Sequence, residues 1–581
     1  MDRFHRLSKG TRPILELDLE PLRSFIAQRI VDTEEAVQSG KVAKTVDIRK
    51  VSPEIIALMM EARTAEWEKY KSFNAAIPIW GKELQNLLDE GHKVIPSKWA
   101  ETDKREHLKG TSEYSPKMEA RLVICGKFED VSREDVRCDA PTADAESHCL
   151  LASCAASERL RLKGSDVTNA YFQAKPLTRL LLMRQPTGGL GDPDVPAEAC
   201  LLCRVPIYGS IDAGRGFYLR MDSEVKTAGM KASKVMPALY YHQDENGELD
   251  AMLCTHVDDL LFAHKPSGAK VIQEILGKFS VGKTEEGSFR YCGRRFTQHD
   301  DFAIEIDAEE NTRGIKPISI DKSRKGTDVV TEKELTSLRS VTGSLAWVAR
   351  YCRADLAYKV NELQRLCNAK ATVSDLRLAN KAVELAHQNQ NMKLVYKANS
   401  VNWQDLAVGT YSDASFANEP GFKSQQGRIH YLTSASHLME KDHNIHVIGF
   451  VCRATLQAES YALQSAVEHG DRLRCVLCEM TGKLVSMTDW HEQCQMKMKH
   501  VWVSDCMNLV EHLNAEVPKK VQDKRLGIEL AALRQSLWTG NGQKSSLEYS
   551  PYGDELYWIE TARMLADVLT KSMKPWLLRG P

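Results

Sequence analysis

No run in the 581 residues approaches the ~18 consecutive apolar positions that a membrane-spanning helix needs. The first residues, Met1-Asp2-Arg3-Phe4-His5-Arg6, are polar and have no apolar signal core behind them. No repeat with a period of ~20–50 residues and no low-complexity tract is visible. An excess of either charge is also missing, since 78 Lys plus Arg oppose 79 Asp plus Glu for a net charge of −1. The 15 cysteines are too thinly scattered for a secreted disulfide scaffold and read as reduced thiols inside a cell. These absences exclude membrane protein, secreted mini-domain and disordered tail as descriptions of the whole chain. For nucleic acid the balanced charge leaves two options. Either the protein does not bind it, or positive charge is gathered in a groove and offset by acidic surface elsewhere.

What is present suffices for real cores. Hydrophobic residues make up 43% of the chain and charged ones 27%, enough for three or four domains at ~150 residues each. Charged helical patterns at Pro21 to Ile30 and Pro53 to Tyr70 form a leader over roughly 1–75, and the charge-dense stretch from Glu101 to Lys117 reads as a long hairpin or loop. Leu160 to Asp166 alternates as a strand ending at an acid. Asn246-Gly247 favours a tight turn between an apolar run to Tyr241 and a return strand, Ala251 to Thr255, that leads into His256-Val257-Asp258-Asp259. Residues 270–400 have mainly helical periodicity, with Leu345, Val348, Leu356, Val360, Leu363 and Leu366 on apolar faces. A three-strand meander then follows (Leu406 to Asp413, Arg428 to Thr433, His446 to Cys452), with a helix carrying Ala462, Leu463, Ala466 and Val467, a strand Val501 to Ser504 and a last helix Thr561 to Lys571.

Two sets of acids stand out on these elements. Asp166 ends a strand, and Asp258 and Asp259 sit in a strand–turn–strand. Nucleotidyl transfer needs carboxylates that hold two divalent ions ~3.5–4 Å apart, and such a placement can supply them. Asp-Asp is equally a common way to start a turn. In the second half, Asp413, Glu459, Asp505 and Asp567 place one acid on each successive element, which suits two-metal hydrolysis of a phosphodiester, although four acids in such a length are unremarkable by themselves.

The surrounding residues narrow these alternatives. Asp166-Val167-Thr168-Asn169-Ala170-Tyr171-Phe172-Gln173-Ala174 resembles the D-V-x-x-A-F-L-x-G motif of reverse transcriptases from copia-type LTR retrotransposons, and Val257-Asp258-Asp259-Leu260-Leu261 their Y-V-D-D-L-L. Ile207-Tyr208-Gly209-Ser210-Ile211-Asp212-Ala213-Gly214-Arg215-Gly216-Phe217-Tyr218 is similar to L-Y-G-L-K-Q-A-P-R-A-W-Y. Lys98-Trp99 with Glu119-Ala120-Arg121-Leu122-Val123 resembles the fingers motifs, and Leu338 to Leu345 and Arg353-Ala354-Asp355-Leu356-Ala357-Tyr358 resemble motifs downstream of the palm. In the second half, Tyr411-Ser412-Asp413-Ala414, Ala458-Glu459-Ser460-Tyr461, Val503-Ser504-Asp505 and Leu565-Ala566-Asp567-Val568-Leu569-Thr570-Lys571 resemble the ribonuclease H motifs of the same elements.

The resemblance spans roughly residues 75–575 and implies a mixed α+β architecture. A right-hand polymerase would have a leader (1–75), fingers and palm (76–266) and a largely helical thumb or connection (267–404), followed by a ribonuclease H-like α/β domain (405–581). It implies an RNA-directed DNA polymerase with ribonuclease H activity, using two Mg²⁺ (or Mn²⁺) ions per active site. Asp166, Asp258 and Asp259 would hold them in one site, and Asp413, Glu459, Asp505 and Asp567 in the other. Arg121, Tyr171, Tyr208, Gly209 and Arg215 would bind substrate, with Arg121 on the triphosphate and the Tyr171 ring excluding a 2′-hydroxyl. The implied partners are RNA template, DNA primer, RNA–DNA hybrid and deoxynucleoside triphosphates, with integrase or capsid protein of the same element as further candidates and no membrane. The implied setting is intracellular, in cytoplasmic particles or the nucleus. Protease, integrase and a capsid zinc knuckle are not evident, so the chain reads as a fragment, a processed product or a free-standing derived gene. Glu119, Asp212 and His256 depart from the family pattern, and an acid near a triphosphate opposes its binding. The rival reading is therefore a domesticated, catalytically inactive scaffold that binds nucleic acid or protein. The Cys-x-x-Cys pairs at 200/203 and 475/478 read as buried free thiols, and Lys316, Lys322, Arg324 and Lys325 as phosphate contacts or a solvated loop.

Overall fold

The computed structural model describes residues 52–106, 109, 114–129, 136–419, 423–437, 445–455, 459–484, 486–515, 524–537 and 554–571. The expected helix at 21–30 lies outside them, whereas that beginning at Pro53 forms as Pro53–Ser72. No helix among the described residues is long and apolar enough to cross a membrane. The chain divides into two compact units, one of residues up to Ser72 with Ile77–Phe128 and Leu182–Leu202, the other of Phe73–Ala76, Glu129–Leu181 and Cys203 onward.

In the first unit, Ser97–Asp103 and Met118–Ile124 pair as the antiparallel hairpin foreseen around the charge-dense loop. Alternation along Met118–Ile124 buries Ala120, Leu122 and Ile124 on one face, and helix Pro53–Ser72 covers it with Trp67 and Tyr70. The Tyr70 hydroxyl donates to the Leu122 carbonyl at 2.8 Å, and the Arg63 Nε donates to a buried Glu101 oxygen at 2.6 Å, so this face carries paired polar groups as well as apolar ones.

The second unit holds a six-stranded antiparallel sheet in the order Glu285–Glu286, Arg161–Asp166, Asp259–His264, Leu249–His256, Leu239–Gln243 and Lys231–Ala232. Helix Ala145–Ser157, apolar nearly all round, packs on this sheet and is buried almost completely. The 270–400 segment forms the long helices Glu332–Tyr351, Ala357–Leu366 and Val373–Gln388. It also contains a four-stranded sheet, Ser288–Tyr291, Arg294–Gln298, Ile304–Asp307 and Lys393–Tyr396, which helical periodicity did not reveal. Arg324 there binds Asp328, Glu334 and the Val329 carbonyl, so it clamps its own loop.

The last region is a five-stranded sheet ordered His446–Thr455, Lys423–Ser434, Leu406–Glu419, Lys499–Ser504, Glu555–Trp558, with helix Glu459–Met480 packed on it. The first three strands are the expected antiparallel meander, and the last two run parallel to Leu406–Glu419. This is the ribonuclease H-like arrangement. The expected last helix is corrected. It splits into a 3₁₀ turn Thr561–Arg563 and a four-residue helix Asp567–Thr570, because Met564 takes an extended backbone and is buried with Ala566, Val501 and Val503. Cys200, Cys203, Cys475 and Cys478 are buried free thiols, as expected.

Candidate active sites

The first site is assembled by strand register. Asp166, the last residue of its strand, pairs directly with Asp259, the first residue of the adjacent strand. Asp258 occupies the two-residue turn between His256 and Asp259, and its carbonyl accepts the Val167 N–H at 2.8 Å, locking the turn to the strand that carries Asp166. Val257 in this turn has a φ of +57°, a left-handed conformation costly for a β-branched residue. Burial, the Asp258 carboxylate and Asp166 together raise the Asp259 carboxyl above its usual range, with His256 opposing them. Cys292, in a hairpin turn of the next sheet, brings its Sγ to 3.9 Å from an Asp259 oxygen. Gly282 lies so close to Asp166 that a Cβ there would fall 2.3 Å from its Oδ1. Neither Cys292 nor Gly282 was singled out by the sequence, because both arrive from segments outside the acid motifs.

Tyr171 follows Asp166 on the 3₁₀ turn Ala170–Gln173, its ring edge-on to Tyr208 with centroids 5.2 Å apart. Gly209 lies in the turn before helix Ala213–Thr227, and Arg215 on that helix pairs with Asp139 at 2.9 Å. Arg121 belongs to the first unit, exposed and opposite Ala100 in its hairpin. Two of the three departures from the motif pattern are partnered, whereas His256 Nδ1 is buried without a hydrogen-bond partner among the described residues. Glu119 pairs with Lys104 at 2.8 Å, and Asp212 shares Arg179 with Glu129.

The second site is tighter. Asp413 on the central strand, Asp505 just beyond strand Lys499–Ser504 and Asp567 opening the four-residue helix bring carboxylate oxygens within 4.8 Å of one another. Among the described residues this is the one group of three or more such side chains so close, and the first site's acids do not reach that spacing. Glu459, at the start of helix Glu459–Met480, adds a fourth carboxylate. Burial and the charges of Asp413 and Asp505 raise its pKa to about 8. Asp413 is 1% exposed, and burial together with Asp567 and Asp505 raises it to about 7 against donation from Thr570 and the charge of Lys571. The Lys571 ammonium lies 2.5 Å from Asp567 and 3.9 Å from Asp413. Although burial works against it, those carboxylates hold it above its ordinary range. Lys571 and Thr570 belong to a quoted motif, yet their reach into the acid cluster required the fold. Glu459 Oε2 is buried without a hydrogen-bond partner among the described residues. An orphan oxygen within a close set of hard oxygen donors, whose negative charges a cation would relieve, fits divalent Mg²⁺ or Mn²⁺.

Residues 85–299 match the family described as reverse transcriptase (RNA-dependent DNA polymerase). The truncated transposon Ty1-A Gag-Pol polyprotein of Saccharomyces cerevisiae is 21% identical over 594 residues, covering 96% of this chain and 45% of that protein. The transposon Ty1-LR2 Gag-Pol polyprotein of the same yeast is 21% identical over 601 residues, covering 96% of this chain and 31% of that one. This chain thus spans less than half the length of these relatives. Among solved structures, the foamy viral protease-reverse transcriptase in complex with dsDNA superposes with a TM-score of 0.43 at 12% identity, covering 82% of each chain. The same viral protein in complex with RNA/DNA hybrid gives 0.39 at 11% identity, covering 82% of this chain and 52% of that one. Residues 85–299 are thus similar to the reverse transcriptase family, and the chain is similar at 21% identity, over nearly its whole length, to Ty1 Gag-Pol polyproteins.

Proposed function

We propose that the chain is an RNA-directed DNA polymerase with ribonuclease H activity. It would copy an RNA template from a DNA primer with deoxynucleoside triphosphates and cut the RNA strand of the resulting hybrid. The observation that carries this reading is the convergence of Asp413, Asp505 and Asp567, with Glu459 beside them, in a polymerase-related chain. Asp166, Asp258 and Asp259 would hold the ions of the polymerase site, and the four acids of the last sheet those of the nuclease site. Two Mg²⁺ or Mn²⁺ ions at each would supply charge stabilisation to attacking and leaving oxygens.

The chain's own residues do the rest. Strand pairing fixes Asp166 against Asp259, and the strained turn presents Asp258 beside them. Tyr171, held edge-on by Tyr208, offers a rigid ring to the sugar of an incoming nucleotide. In the nuclease site burial and the neighbouring carboxylates raise Asp413 and Glu459, a crowding of charge that bound cations would relieve, and Thr570 fixes the orientation of the Asp413 carboxyl. One observation favours the rival scaffold reading, namely that the polymerase acids are less closely gathered than the nuclease acids.

The test is primer extension on a poly-A RNA template, with cleavage of an RNA–DNA hybrid measured on the same preparation. Asp258→Asn with Asp259→Asn should abolish extension alone, and Asp567→Asn should abolish cleavage alone. A well-folded parent that does neither across a range of salt concentrations belongs to the scaffold class.

A further inference from the structure

The Arg353-Ala354-Asp355 turn lies in the helical region, remote in sequence from every acid of the nuclease site, yet it packs on the helix that carries Asp567. That helix, Asp567–Thr570, is four residues long. So short a helix has no stability of its own, and the place of Asp567 is set by what packs around it. Beneath it lies Gly427 of strand Lys423–Ser434, where a Cβ would fall 2.7 Å from the Leu569 Cβ and 2.9 Å from the Ala566 carbonyl oxygen, so only a hydrogen admits the helix. On another side Val568 and Leu569, 3% and 0% exposed, share one apolar cluster with Ala354 and Ala357.

Ala354 opens the 3₁₀ turn Ala354–Leu356, and a buried ion pair closes this turn. Arg353 Nε and Nη2 donate to the two Asp355 oxygens at 2.8 Å each, with side chains 1% and 0% exposed. The remaining guanidinium nitrogen donates to the Ala386 carbonyl at 3.0 Å, in helix Val373–Gln388. The bidentate fork allows a single geometry, which is therefore transmitted to the alanines beside it.

We infer that the Arg353–Asp355 turn is a positioning element of the nuclease site. It braces the Asp567 helix against the sheet from the polymerase side, so the helical region that follows the palm sets the geometry of a nuclease metal ligand. The inference rests on the nuclease reading and deepens it, since it makes RNA cleavage dependent on the polymerase part of the chain. A pair that merely bolted helices Glu332–Tyr351 and Val373–Gln388 together would leave the nuclease metal site indifferent to its loss.

The test uses the full chain with Asp166, Asp258 and Asp259 changed to Asn, so that Mn²⁺ titrated by electron paramagnetic resonance reports the nuclease acids. Two variants probe the brace, Asp355→Asn, which breaks the fork, and Ala357→Leu, which keeps the fork and overpacks the contact with Val568 and Leu569. Each should weaken Mn²⁺ binding about tenfold, the lower end of the range for losing support behind a metal ligand. In the chain with its polymerase acids intact, each should raise the Mg²⁺ needed for hybrid cleavage while primer extension stays within about twofold. Arg353→Lys, which keeps the charge and loses the fork, should fall between Asp355→Asn and the parent. Unchanged Mn²⁺ titrations in folded Ala357→Leu and Asp355→Asn would overturn the inference, as would equal losses of extension and cleavage with unaltered Mn²⁺ binding. A parent that binds Mn²⁺ through Asp567 but cleaves no hybrid ends the nuclease reading, and the titration still decides the brace. A parent that binds none ends both.

Discussion

Replacing Asp413 by Asn should stabilise the five-stranded sheet in the absence of divalent metal and, on the proposed function, abolish hybrid cleavage. The Asp413 carboxyl has an ordinary pKa of 3.8 and is raised to about 7 by burial and by the charges of Asp567 and Asp505. Between those values the folded state keeps a proton that the unfolded chain has released, so stability falls as pH rises, and above about 7 the loss is complete. At 1.36 kcal/mol per unit the full cost is about 4 kcal/mol, and Asn should recover about 2–4 kcal/mol of it. The Asn oxygen can still accept the Thr570 hydroxyl, so the gain is not offset by a lost hydrogen bond. Hydrogen exchange of the strand Leu406–Glu419, corrected for intrinsic rates, reads the opening free energy. In EDTA at about pH 8 the variant should be the better protected, and at about pH 5.5 its advantage should be smaller by about 2 kcal/mol, because the folded parent keeps its proton there while only the unfolded chain has released it. Mg²⁺ at the higher pH should protect the parent more than the variant. An Asp413→Asn protein that opens more readily than the parent at about pH 8 in EDTA would refute the claim that this carboxylate is held at a cost.

Other substitutions probe single contacts. Gly282→Ala would place a Cβ 2.3 Å from Asp166 Oδ1, and the displaced carboxylate should lower primer extension about 100-fold, with hybrid cleavage unchanged as the control. Tyr171→Ala should raise ribonucleotide relative to deoxynucleotide incorporation by about tenfold or more, measured by competing the two triphosphates. His446, buried between the hydroxyls of Ser153 and Ser400 at 2.8 Å each, has its pKa lowered to about 4 by burial. The unfolded chain therefore takes up that proton first. The protein should lose about 3 kcal/mol as pH falls from 6.5 through 4, and urea midpoints at the two ends should show a smaller loss in His446→Asn.

Strand positions were legible wherever residues alternate about a buried face, as at Leu160 to Asp166 and along the three-strand meander, because burial of every second residue leaves its mark on a single strand. Glu555–Trp558 escaped notice because its four residues are too few to show a period, and the sheet Ser288–Tyr291 to Lys393–Tyr396 because its strands are nearly as short and helices separate the last of them from the other three in sequence. The last helix was overdrawn, since burial of Met564 breaks a pattern that local periodicity would continue.

The sequence by itself determined the chemistry on offer. The seven acids, their order along the chain and the motifs around them are local text, as is the turn that sets Asp258 beside Asp259. The tertiary structure alone decided which groups meet. The register of two strands sets Asp259 opposite Asp166, and Cys292 and Gly282 reach that site from segments with no acid motif. Lys571 turns back on Asp567 and Asp413, and the Arg353–Asp355 turn packs on the helix that holds one of them. Such contacts join residues up to more than two hundred positions apart, and close packing of the whole core, which no local pattern encodes, is what brings them together.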